Sequence, residues 1–186
     1  MATGLMHGGL EAAAARFPDH PAVLAGQDRW TFADLERASN ALARHLGAEG
    51  VGVGDRVAVM TSNRPEFVVV VHAVSKVGAA PVLLNPAWKA FEVDTAVRLT
   101  APSYGAGDGG GTALLVEHLG AARVLDLDAA PAAALVDRSC DIPAPPVAAG
   151  PDDDAALVFS SGTTDLPKAV RHTHRSLRLA TAHWCT

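Results

Sequence analysis

"DRVAVMTSNRPEFVVVVHAVSKVGAAPVLLN", residues 55–85, carries the reading on which the fold turns. Two short apolar runs, 55–61 and 79–85, flank a longer one that starts at Pro65 and stops at Gly78. The flanking runs have the length and β-branched content of buried strands. The middle run is too long for a strand; its proline suits a first helical turn and its glycine suits a helix end. Strand, helix, strand at this spacing predicts a parallel βαβ unit with helices laid over the sheet.

Toward the N-terminus the same logic continues. An alanine-rich helix is expected within 11–17, closed by Pro18, and short strands at 21–26 and 29–32 surround the polar break "GQD". Thr31 opens "TFAD", a capping-box pattern in which Asp34 reaches back to the backbone. Leu35, Ala38, Leu42, Ala43 and Leu46 follow at helical spacing, and Gly47 stands where a C-terminal cap belongs. Toward the C-terminus, helices are expected within 88–99 and 112–119, strands at 122–127 and 155–160, and a helix over 174–184. "APSYGAGDGGG" (101–111) reads as a flexible stretch, and the Ala- and Pro-rich segment 128–154 as an irregular surface connection inside one domain. The fold class expected is α/β, a mostly parallel sheet flanked by helices.

At 186 residues the chain can bury roughly 70% of its unfolded surface in one substantial core. A net charge of -5 without a basic stripe argues against nucleic acid as partner. The purely aliphatic runs are far too short for a transmembrane segment, and no basic residue precedes Arg16, so no secretory leader is read. Two cysteines, Cys140 and Cys185, make neither a disulfide framework nor a metal spacing. These features suit a reduced, cytoplasmic protein.

The chemistry concentrates between an apolar strand and a basic tail, in "ALVFSSGTTDLPKAVRHTH" (156–174). Ser160, Ser161, Thr163 and Thr164 supply hydroxyls, Gly162 lets a ligand approach the backbone, and Lys168 offers a mobile charge suited to phosphate. An ordinary P-loop needs glycine directly before its lysine, where Pro167 stands. By residue type alone, an anion-gripping turn and a polar turn with a solvated lysine are about equally open.

The order of residues is more specific. "FSSGTTDLPKAV" resembles the phosphate-loop signature of the acyl-adenylate-forming superfamily, a hydroxyl followed by Ser-Gly-Thr-Thr-Gly, one variable residue and Pro-Lys-Gly, and "THRSL" is similar to its continuation. Upstream, "RFPDHPAVL", "WTFADLERASNALARHL" and the segment from Gly50 to Pro86 resemble the family's opening and first core motifs, in the right order. Ser161 and Leu166 lean toward the acyl- and aryl-CoA ligase branch rather than peptide synthetases. The resemblance implies that ATP and a fatty or aromatic carboxylic acid form an acyl-adenylate, which coenzyme A then takes as thioester. It further implies phosphate contacts from Ser160, Ser161, Gly162, Thr163, Thr164 and Lys168, within a phosphate loop spanning 159–170, and Thr164 near Mg2+. The family's later pocket motifs, ribose-binding aspartate and C-terminal lid have no counterpart in residues 1–186. The chain is therefore expected to be an N-terminal portion of an adenylating enzyme, inactive without the remainder.

Asp165 and Ala169 depart from the pattern, each standing where glycine is usual. Asp tolerates left-handed backbone, but a carboxylate about 6 Å from a phosphate charge costs about 3 kcal/mol at an effective dielectric of 20. Weakened ATP binding is expected, and a catalytically silent nucleotide-binding or interaction module is the rival reading. A Rossmann-type domain is disfavoured because no G-x-G-x-x-G follows the first strand. His172, His174 and the run Asp152, Asp153, Asp154 read as packing or solvated groups, and Trp30, Trp88 and Trp184 as packing residues.

Overall fold

A computed structural model describes residues 4–129, 138–139, 141–160 and 167–184. Strands β1 (Pro21–Ala25) and β2 (Asp28–Thr31) form a separate antiparallel hairpin. The main sheet contains β3 (Arg56–Met60), β4 (Ala80–Leu83), β5 (Tyr104–Gly107), β6 (Val124–Asp126), β7 (Asp154–Ser160) and β8 (Lys168–Thr173), in the order β6-β5-β3-β4-β7-β8. The first five in that order run parallel, and β8 closes one edge antiparallel to β7. The helices are α1 (Gly8–Arg16), α2 (Phe32–Ala48), α3 (Pro65–Lys76), α4 (Ala90–Thr100), α5 (Gly109–Leu119) and α6 (His174–Trp184). No described helix is long and apolar enough to cross a membrane.

Alternation along β3 builds both halves of the core. Val57 and Val59 point to one face, against α2 and α3, while Ala58 and Met60 point to the other, against α4 and α5. On the first face the expected α2 residues Leu35, Ala38, Leu42, Ala43 and Leu46 are all buried. On the second, Val93 and Ala96 of α4 and Leu115 of α5 cover Val82 and Leu157. Burial on both faces is why the central strands read as continuous apolar runs.

Local signals set the helix ends. Asp34 N donates to Thr31 Oγ1 at 3.1 Å while Thr31 N donates to Asp34 Oδ2 at 2.9 Å, completing the capping box of α2. Pro65 opens α3, as read from the sequence. Gly47 does not cap α2: the helix runs through it to Ala48, and the left-handed residue is Gly50, with φ of +84°. The turn after α3 does use Gly78, at φ +78°, where an added Cβ would lie 2.6 Å from Val147 Cγ2.

Two further expectations are corrected. The glycine-rich stretch 101–111 is not a flexible connection; it holds β5, buried throughout and paired to β3 and β6, and the first turn of α5. Its glycines permit close approach: a Cβ on Gly107 would lie 2.8 Å from Thr112 N, and one on Gly111 would lie 2.6 Å from the Met60 carbonyl oxygen. The basic segment after Lys168, read as loop, is strand β8. As an edge strand it is exposed along much of both faces and carries no apolar alternation; pairing with β7 extends it. Within the connection, residues 141–150 lack regular structure, and residues 130–137 and Cys140 lie outside the described residues. Arg37 Nε tethers this connection through Asp141 at 2.5 Å.

Candidate functional site

β7 is parallel to β4, so the turn joining β7 to β8 lies at the carboxyl end of the parallel strands, where α/β sheets receive ligands. Ser160 and Lys168 pair directly across the β7–β8 hairpin and are the two exposed posts from which the turn springs. Strand alternation puts both on the face that carries Val158 and Val170, while Phe159 and Ala169 share the opposite face. Phe159 meets the ring of Trp88 edge-on, with centroids 5.1 Å apart, which fixes the end of β7 against the loop before α4. The Lys168 side chain makes no hydrogen bond or ion pair among the described residues. Ser161, Gly162, Thr163, Thr164 and Asp165 lie outside the described residues, so of the six expected phosphate contacts the structure places Ser160 and Lys168.

The strand ends away from this turn are locked by ion pairs that the sequence reading left as a solvated charge run. Asp154 accepts from Arg171 of β8 at 2.5 Å and from Arg56 of β3 at 3.4 Å. Asp152 takes Arg175 in a two-point contact at 2.6 and 2.7 Å, which pulls its carboxyl below the usual carboxylate range. Asp153 accepts from Gly150 N at 2.7 Å. The start of α6 is held equally well: Thr173 and Ser176 exchange side-chain to backbone hydrogen bonds of 3.1 Å each. His174 is buried, as a packing role required, and its Nδ1 accepts from Met6 N at 2.9 Å. Burial lowers its pKa, opposed by Asp153 and Asp154. The hairpin base is thus held by ion pairs, and Ser160 and Lys168 at its other end are exposed.

A second polar group, missed from the sequence, sits at the carboxyl ends of β3, β5 and β6. Arg64 donates to Glu66 Oε2 at 2.9 Å and to Asp128 Oδ1 at 2.7 Å, and Asp108 accepts from Ser62 Oγ at 2.6 Å. Arg64 holds the Asp128 carboxyl below its ordinary range. Its members are partners to one another, so the group ties three loop ends together. Only spatial proximity across 62–128 brings it about, and no local motif signals it. Among the described residues no cluster of His, Cys, Asp and Glu is arranged to hold a metal ion.

The chain is 36% identical over 180 residues to phosphinothricin tripeptide synthetase PhsC of Streptomyces viridochromogenes, covering 92% of this chain and 16% of that protein. It is 31% identical over 174 residues to the long-chain-fatty-acid–CoA ligase FadD13 of Mycobacterium tuberculosis, covering 85% of this chain and 32% of the ligase. Its fold superimposes on VinN, solved in complex with 3-methylaspartate, with a TM-score of 0.85 at 26% identity over 96% of this chain and 50% of that one. The chain therefore spans half or less of each of these proteins. Peptide synthetases and CoA ligases both stand among its relatives, so the lean toward the ligase branch is not decided by similarity. The family described as AMP-binding enzyme matches residues 10–186, and the chain belongs to that family.

Proposed function

We propose that this chain supplies the phosphate-gripping part of an ATP-dependent acid-activating ligase. The observation that carries the reading is the pairing of Ser160 with Lys168 at the mouth of a braced hairpin, at the carboxyl end of the sheet, flanking "SGTTDLP". The Lys168 ammonium and the amides and hydroxyls of residues 160–164 bind the β and γ phosphates of ATP. So held, the α phosphorus is open to a substrate carboxylate oxygen; the new P–O bond forms as the α–β bridge breaks, and pyrophosphate leaves with the electron pair. A thiol sulfur then attacks the acyl carbon and AMP departs. Coenzyme A is the thiol proposed, in line with the FadD13 similarity.

Mg2+, when bound, would neutralise phosphate charge, and Thr164 is the residue proposed to contact it. Ser160 and Lys168 fit the binding of phosphate, being exposed and unencumbered by carboxylates among the described residues. The acid is fatty or aromatic on the CoA-ligase reading; the remaining length that relatives carry would supply its pocket and the lid. A reduced, cytoplasmic setting, where ATP and coenzyme A are available, suits this chemistry.

ATP binding by calorimetry, compared between the chain and Asp165→Gly, tests the grip. The variant is expected to bind several-fold tighter, because a carboxylate within the phosphate-loop sequence is removed. Absence of ATP binding in both proteins would sink the reading, whereas activity only after Asp165 is reverted would favour the silent module, for which Asp165 is the specific argument. ATP–pyrophosphate exchange by the full-length gene product across fatty, aromatic and amino acids then identifies the acid, and thioester formation with coenzyme A separates the ligase from the peptide-synthetase branch.

A further inference from the structure

The most deeply buried charges lie where α1, α2 and α3 meet. Lys76, only 2% exposed, donates to Glu11 Oε1 at 3.0 Å and to Glu36 Oε1 at 2.9 Å. His7 Nδ1 is 2.9 Å from Ser75 Oγ, and its Nε2 lies 3.9 Å from Glu11 Oε1. A cavity of about 250 Å³ opens against this cluster. Glu36 and Asn40, one turn apart on α2, share the face that lines it. Asn40 is 7% exposed; its Oδ1 and the Glu36 Oε2 are buried and have no hydrogen-bond partner among the described residues. A native core leaves few such acceptors unmet.

The facing wall explains why its described residues do not satisfy them. It is formed by residues 143–147, of which Pro143, Pro145 and Pro146 have no N–H to give. Their rings present apolar surface instead. The charges facing the cavity are Glu11, Glu36 and Lys76, with His7 kept neutral by burial, so one negative charge is left over. Lys76 is already matched by two carboxylates and does not repel a further cation strongly.

We propose that this cavity binds a short primary alkylammonium ion, whose N–H groups are received by Glu36 Oε2 and Asn40 Oδ1 and whose alkyl chain lies along the proline wall. A bare cation or a single water occupies only about 10–15 Å³ by this measure, a small part of the space. A protonated amine with a few carbons meets the acceptors, the charge and the apolar wall together. The site is independent of the ATP reading and reports on folding rather than on turnover.

Titration of the 186-residue chain at pH 7 with n-butylammonium chloride tests it. Potassium chloride and tetramethylammonium chloride at the same ionic strength, and n-butanol, are the controls. One binding site is expected, with the thermal midpoint raised by about 4 °C at roughly ten times Kd. The controls are expected to leave the midpoint unmoved. Asn40→Leu and Glu36→Gln are each expected to weaken butylammonium binding by about tenfold. Glu36→Gln keeps the shape of the site and carries the comparison if Asn40→Leu does not fold. The proposal is overturned if butylammonium produces no binding heat, leaving the cavity to water. A response matched by tetramethylammonium or potassium, or unchanged affinity in the variants that fold, overturns it as well.

Discussion

At Gly111 the backbone of α5 approaches β3 so closely that a methyl group would sit 2.6 Å from the Met60 carbonyl oxygen. That oxygen belongs to the last residue of a central strand, so neither side can yield without shifting the sheet or the helix. Gly111→Ala is expected to lower stability by about 2 kcal/mol, as overpacking does, seen as a lower urea midpoint at unchanged slope. A loss below about 0.5 kcal/mol would show that α5 can slide. Lys168 is the opposite kind of residue, exposed and without an ion-pair partner among the described residues. Lys168→Ala should therefore leave the melting temperature unchanged while weakening ATP about tenfold, the worth of one charge-assisted contact. Equal ATP affinity in the two proteins would remove Lys168 from the grip.

Single elements owe their limits to short-range chemistry. The α2 capping box satisfies two backbone donors at once through Thr31 and Asp34. Thr31→Ala should cost about 1 kcal/mol in equilibrium unfolding, with Thr31→Ser recovering most of it. Should both variants match the parent protein, the helix start is held by β2 and the core rather than by its cap. The same reciprocal arrangement at Thr173 and Ser176 starts α6 immediately after β8. That strand in turn positions Lys168, so the candidate grip rests on a chain of local contacts running back from α6 through the hairpin.

Over the whole molecule, two buried imidazoles and the half-buried His72 contribute to the response to acid. Burial pushes His7 down to about 4 and lowers His72 and His174 below the ordinary histidine range. The unfolded chain takes up protons on these groups below about pH 6.5 while the native protein does not. Stability is thus fully present above pH 6.5 and declines as pH falls toward 4, where His7 itself protonates in the fold. His7 alone accounts for about 2 kcal/mol of loss between pH 7 and pH 5. Urea midpoints across that range check this, and His7→Gln should flatten the slope; a pH-independent midpoint would contradict it.

Some of this architecture was written locally. The βαβ unit of residues 55–85, the α2 face from Leu35 to Leu46 and the capping box follow from periodicity and caps, because those interactions span only a few residues. The order of hydroxyls, glycine and lysine after Phe159 likewise marked the family before any coordinates. β5 was illegible: "YGAG" has weak strand propensity, and it is extended because β3 and β6 pair with it and α5 needs its missing side chains. β8 was illegible for a related reason, since an edge strand needs no apolar pattern when its partner supplies the pairing. Gly47 misled because helix length is settled by packing and by where the chain can turn, which is Gly50. The Arg64 group and the Lys76 cluster join residues tens of positions apart, and burial makes their charges meet; only the tertiary structure could decide that.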